Sequence, residues 1–150
     1  MDSKSINTQI EESLTKSDWK YTLSEKNDTK FYSLKFRNEL TNKKEVVYEI
    51  DILPSEVLGS VKLYCLSFLD VNIDKLDQVK HFINELNKAT LFGALFYDVA
   101  ETEININYKH TLSLNRGNQE LTVEELKDII SYIGFIVEFC YDNLVTKNEK

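Results

Sequence analysis

The stretch LTVEELKDIISYIGFIVEFCYDNL, residues 121–144, decides how the rest of the chain must be arranged. Thr122 and Glu125 form a T-x-x-E capping box, and Leu121 and Leu126 occupy the two positions of a hydrophobic staple, so a helix starts here. Leu126, Ile129, Ile130, Ile133, Val137, Cys140, Tyr141 and Leu144 then recur at helical spacing and supply a core face. Beside it runs a second apolar stripe, Tyr132, Phe135, Ile136 and Phe139, which leaves only a narrow polar strip around Lys127, Ser131, Glu138 and Asp142. Such a helix has to be covered on two sides, by elements of the same chain or by a partner. The second stripe is therefore the candidate interaction surface, and the competing reading seats the first helix against it.

Working back from this helix, residues 91–99 and 102–114 form the clearest hairpin in the chain. In its second strand Ile104, Ile106, Tyr108, His110, Leu112 and Leu114 alternate with polar residues, which fixes the register. A helix precedes it from about Asn72, with Ile73, Leu76, Val79, Phe82, Ile83 and Leu86 on its apolar side. Upstream lie four strands, expected at 19–25, 31–39, 45–52 and 61–69, with a turn at Asn27-Asp28-Thr29 and a loop holding Pro54, Ser55 and Gly59. The last of these strands is apolar on both faces, which suggests a central strand covered on both sides. A first helix carries the thin stripe Ile6, Ile10 and Leu14. The order α-β-β-β-β-α-β-β-α implies an α+β fold, a mainly antiparallel sheet with helices packed on it.

A chain of 150 residues fits one domain, 1–150, and can bury ~70% of its unfolded surface. Its net charge of −7 argues against nucleic acid, which demands a basic face, and favours solubility or a basic partner. The cluster Lys30, Lys35, Arg37, Lys43 and Lys44, interleaved with Phe31, Tyr32 and Phe36, reads as solvent-face lysines ahead of an RNA platform. The first residues hold no apolar signal region, so the expected location is cytoplasmic. The longest apolar run, 129–137, falls short of the ~20 residues that span a bilayer.

No catalytic motif stands out. Asp77, His81 and Glu85 have the i, i+4, i+8 spacing of metal ligands, but they share the polar side of their helix with Asp74, Asn84 and Lys88, so a solvated face is the better reading and no metal is expected. His110 and Cys140 could meet as base and nucleophile. Cys140 lies near the negative C-terminal pole of its helix, which raises a thiol's pKa, so a core cysteine and a core histidine are expected instead. With four glycines there is little material for a phosphate cradle, and no cofactor is expected. Gly134 costs its helix ~1 kcal/mol relative to alanine, a cost best understood if another backbone packs closely there.

Two segments carry a family resemblance. IEESLTKSDWKY, residues 10–21, resembles the opening of the YbjN-like proteins, where an I-E-x-x-L-x-x-x-x-W helix runs into the first strand. Phe82-Ile83-Asn84-Glu85-Leu86-Asn87, Gly93, Phe96-Tyr97-Asp98, Glu103-Ile104 and the closing helix are similar to that family's second half. In the hairpin turn, where the family often has glycine, this chain has Thr102. The resemblance implies the type III secretion chaperone-like fold and a homodimer. It also implies the family's label of bacterial sensory transduction regulator, to which no reaction is attached. The functional expectation is a non-enzymatic protein-interaction module, chaperone-like or regulatory, binding a protein or peptide. An acidic immunity-type inhibitor of a basic toxin is the alternative, and an enzyme or small-ligand-binding domain comes third.

Overall fold

The Ser5 hydroxyl accepts a hydrogen bond from the Thr8 amide at 3.1 Å and starts α1 (Ile6–Lys16), whose Ile6, Ile10 and Leu14 are buried. The computed structural model describes residues 5–26, 29–40, 44–89, 93–114 and 121–145. Asn27, Asp28, Lys43, Leu91 and Gly117 therefore lie outside the described residues. The helix closes with Asp18 at φ 58°, in the left-handed region, and with the Trp19 amide donating back to the Leu14 carbonyl. That reversal delays the first strand: β1 is Thr22–Lys26, and Trp19, expected inside it, packs edge-on against Phe36 instead.

The remaining strands are β2 (Thr29–Glu39), β3 (Glu45–Ser55), β4 (Ser60–Asn72), β5 (Ala94–Val99) and β6 (Glu103–Ser113). They form a six-stranded sheet in the order β1-β2-β3-β4-β6-β5, antiparallel at every pairing. Ile52 sits opposite both Tyr32 and Leu63, and Leu63 opposite His110, so the period of two places these residues on one face. Leu34, Ile50, Cys65, Ile104, Ile106 and Tyr108 share it, and all are buried. Lys35, Glu49, Lys62 and Lys109 lie on the opposite, open face.

Two further strand assignments differ from expectation. Pro54 is in β3, opposite Val61, in place of a loop. Its missing N–H does no harm there, because the β2–β3 pairing has already ended at Ile52. β4 is central but covered on one face only, with Lys62 exposed and Leu66 50% exposed. Its register against β6 shifts between Cys65 and Leu69, where three residues oppose the single Asn107, and this bulge is what made the sequence read as apolar on both sides. Asn107, only 1% exposed, pins the bulge. Its Oδ1 accepts from the Ser67 amide at 2.7 Å while its Nδ2 reaches Asp98 at 3.2 Å, and Ser67 itself has φ 49°.

Asn72 accepts from the Asp74 amide at 3.1 Å and opens a short 3-10 turn, Ile73–Lys75, that leads into α2 (Leu76–Ala89). Asn87 fixes α2 to the edge strand β5, accepting from the Leu95 amide at 2.8 Å and donating to its carbonyl at 3.0 Å. Between β5 and β6 the Ala100 amide donates to the Glu103 carbonyl at 2.8 Å, a turn that needs no positive φ at Thr102. The last helix, α3 (Val123–Leu144), begins as the capping box requires: Thr122 Oγ1 accepts from the Glu125 amide at 3.1 Å, and Leu121 and Leu126 are both buried. The described residues form an α+β fold, three helices and an antiparallel sheet in the order α-β-β-β-β-α-β-β-α. Among the described residues no helix is long and apolar enough to cross a membrane.

Candidate interaction surface

At 100° per residue, Leu126, Ile133, Val137, Cys140 and Leu144 fall within a narrow arc of α3, and that arc is fully buried on the sheet. Phe135 lies at the opposite pole and is 58% exposed. The four residues of the second stripe part company on this geometry. Ile136 turns toward the sheet and is 1% exposed; Tyr132 is half-buried, edge-on to Tyr108 at 6.3 Å; Phe139 is 38% exposed. Phe139 stacks at 5.9 Å on Phe82 of α2 and, at the same spacing, on Phe135. Three rings thus climb from the α2–α3 seam to the outward pole of α3.

The first helix takes the other flank. The Gln9 side chain accepts from the Leu121 amide at 2.7 Å, which ties α1 to the start of α3. Further along that flank a groove of about 340 Å³ separates Phe135, Gly134 and Ile130 from Trp19, Phe36 and Tyr48. A Cβ on Gly134 would come within 2.7 Å of the Tyr48 hydroxyl. The glycine therefore makes room for a tyrosine side chain, whereas a neighbouring backbone was expected. Asn38 donates to that hydroxyl at 3.0 Å, and Phe36 stacks on the Tyr48 ring at 5.6 Å.

The helix that bears Phe135 and Phe139 is acidic. α3 carries Glu124, Glu125, Asp128, Glu138 and Asp142 against the single lysine Lys127. The basic residues named from sequence lie elsewhere: Lys35 and Arg37 are on the open sheet face, and Arg37 pairs with Glu45 at 3.5 Å. Tyr32 is buried on the helix side of the sheet and Phe36 packs there too, so two of the three interleaved aromatics leave the face that bears the charges.

His110 lines a second cleft, with Leu112, Glu125, Asp128, Ile129 and Tyr132, and burial lowers its pKa. Cys140 follows Tyr132 by eight residues, ~12 Å along the helix, far from hydrogen-bond reach of that cleft. Burial pushes the Cys140 thiol up to about 12 and raises that of Cys65 as well, which is the condition of inert core cysteines. Asp77, His81 and Glu85 are all exposed on α2, and among the described residues no group of three His, Cys, Asp or Glu is placed to hold a metal ion. The cleft and the groove escaped the sequence reading because each needs two elements distant in the chain. The only local signal was the i, i+3, i+4, i+7 spacing of Glu125, Asp128, Ile129 and Tyr132.

An antiparallel sheet with three helices on one face and an acidic, aromatic-ridged outer helix defines the class: an α+β domain whose distinguishing feature among the described residues is an apolar surface. The chain has the YbjN-like fold. It is similar to the crystal structure of YbjN, described as "a putative transcription regulator from E. coli", with a TM-score of 0.59 and 12% identity, over 89% of this chain and 90% of that one. No family model matches the sequence, and no curated protein matches it.

Proposed function

We propose that this protein is a non-enzymatic interaction module, chaperone-like or regulatory, whose outer α3 surface takes an apolar segment of a basic protein or peptide. The observation that carries the reading is Phe135, 58% exposed at the outward pole of α3 and stacked on Phe139, on a helix that carries five carboxylates and one lysine. The acidic surround selects the sign of the partner and speeds its approach. An immunity-type inhibitor is the special case in which that partner is a basic toxin. Pairing two copies of the chain through this surface would set the carboxylates of one α3 against those of the other. A homodimer of this chain would therefore use a different face, and sedimentation of Phe135→Asp should leave the oligomeric state unchanged.

The test uses fluorescence anisotropy with an amphipathic helical peptide of leucine and lysine and its leucine and glutamate counterpart. The lysine peptide should bind and the glutamate peptide should not. Phe135→Asp separates the two sources of affinity, since attraction by charge alone gains from an added carboxylate. Loss of about tenfold or more in affinity, with an unchanged circular dichroism spectrum, supports the aromatic ridge as the contact. Equal or tighter binding by the variant overturns it.

A further inference from the structure

Strand β6 outruns its neighbour. The last β5 partner is Ala94, opposite Lys109, so His110 and Leu112 extend past β5 on the helix-facing side of the sheet. α2 is fixed to β5 through Asn87 and Leu95 and does not line this end of β6. The first half of α3 crosses above, and one flank of it, Glu125, Asp128, Ile129 and Tyr132, forms the facing wall at i, i+3, i+4 and i+7. The space enclosed is about 330 Å³, near the lower end of the range of small-molecule pockets.

Its lining has two distinct parts. Leu112, Ile129 and the Tyr132 ring offer apolar and aromatic walls, while Glu125 and Asp128, both exposed, place carboxylates at the lip. Among the described residues no lysine or arginine lines the cleft. The positive pole at the start of α3, worth about half an elementary charge, is outweighed by Glu124 and Glu125 in the first turn. The lowered pKa of His110 leaves the imidazole uncharged at neutral pH, so it adds no repulsion toward a cation. Burial raises the Tyr132 pKa, so that ring also stays neutral.

We propose that this cleft is a binding site for a small organic cation, an ammonium group on an apolar or aromatic body, with Glu125 and Asp128 holding the charge and Leu112, Ile129 and Tyr132 holding the body. The site is separate from the Phe135 ridge and does not depend on it. Anionic ligands are excluded by the lip.

The experiment is a nuclear magnetic resonance titration of the full chain, followed through the His110 imidazole and the Ile129 methyl groups. The probes are 2-phenylethylammonium, neutral 2-phenylethanol and anionic 3-phenylpropanoate, matched in size and differing in charge. The ammonium should give saturable shifts confined to the cleft and bind about tenfold more tightly than the alcohol, while the carboxylate gives none. The pair of substitutions Glu125→Gln and Asp128→Asn should bring the ammonium down to the level of the alcohol; glutamine keeps the capping-box chemistry at position 125, so the helix start is preserved. High salt should do the same in the unaltered protein. Phe135→Asp, outside the cleft, should leave the titration as it was. Equal affinity for the three probes, shifts spread over α2 and the far end of α3, no saturable shift, or a charge preference that survives the double substitution would overturn the proposal.

Discussion

Replacing Gly134 by alanine sets two known effects against each other. Alanine in a helix interior is worth ~0.8–1 kcal/mol over glycine, so the change should stabilise α3 if nothing stands in the way. The Tyr48 hydroxyl does: the new methyl would lie 2.7 Å from it, about 0.7 Å inside an ordinary contact. Tyr48 is 6% exposed, stacked on Phe36 and held by Asn38, so it yields only by disturbing that packing. Overpacking of this kind costs ~1–3 kcal/mol, with the lower end favoured because the groove beside the hydroxyl gives it somewhere to move. Gly134→Ala alone should therefore be destabilising by up to ~2 kcal/mol. Tyr48→Phe removes the obstructing oxygen and leaves Asn38 Nδ2 at 3.5 Å and the ring carbon at 3.8 Å, both ordinary contacts. In that background Gly134→Ala should raise stability by ~0.5–1 kcal/mol, so the cycle shows a coupling of ~1–3 kcal/mol. Urea unfolding followed at 222 nm reads both values, provided the slope is the same in all four proteins. If alanine stabilises the protein equally with and without the Tyr48 hydroxyl, the glycine is not there to seat the tyrosine.

Two further outcomes test the core. Asn107→Leu should cost ~1–3 kcal/mol, because it leaves the Ser67 amide without its acceptor at a backbone conformation that only the bulge sustains, and hydrogen exchange at Ser67 should accelerate most. Cys65 and Cys140, both buried with raised thiol pKa values, should resist a disulfide reagent at pH 8 in the folded protein and react together once urea unfolds it; rapid labelling of either in native buffer would refute their placement.

Much of the fold is legible in the sequence, and the reason is local. The caps at Thr122 and Asn72 and the alternation of Ile104, Ile106, Tyr108 and His110 depend on neighbours a few residues away. The misreadings have tertiary causes. Pro54 is tolerated in β3 only because β2 stops pairing first, and the double-sided look of 61–69 reflects a bulge that shifts the phase of one strand. Trp19 leaves β1 because Asp18 reverses the chain just before it. At the surface, helical spacing grouped Tyr132, Phe135, Ile136 and Phe139, but a step of 100° between adjacent residues carries Ile136 into the core while Phe135 faces outward. That Phe139 meets Phe82 of α2, and not the first helix, follows from where α2 is held by Asn87 on β5.

The bond from Asn107 to Ser67 spans forty residues of chain. The first four strands form a meander and β5 and β6 a hairpin, so every other pairing in the sheet joins strands adjacent in sequence. β4 against β6 is the one seam between the two halves, and such a long-range pairing is expected to close late. A regular pair of strands can slip by two residues and keep its apolar side inward. Here a two-residue slip of β4 against β6 would carry the Ser67 amide away from Asn107 Oδ1, its acceptor in the bulge. The bulge acts as the key of the fold, admitting the two halves to one another in a single alignment.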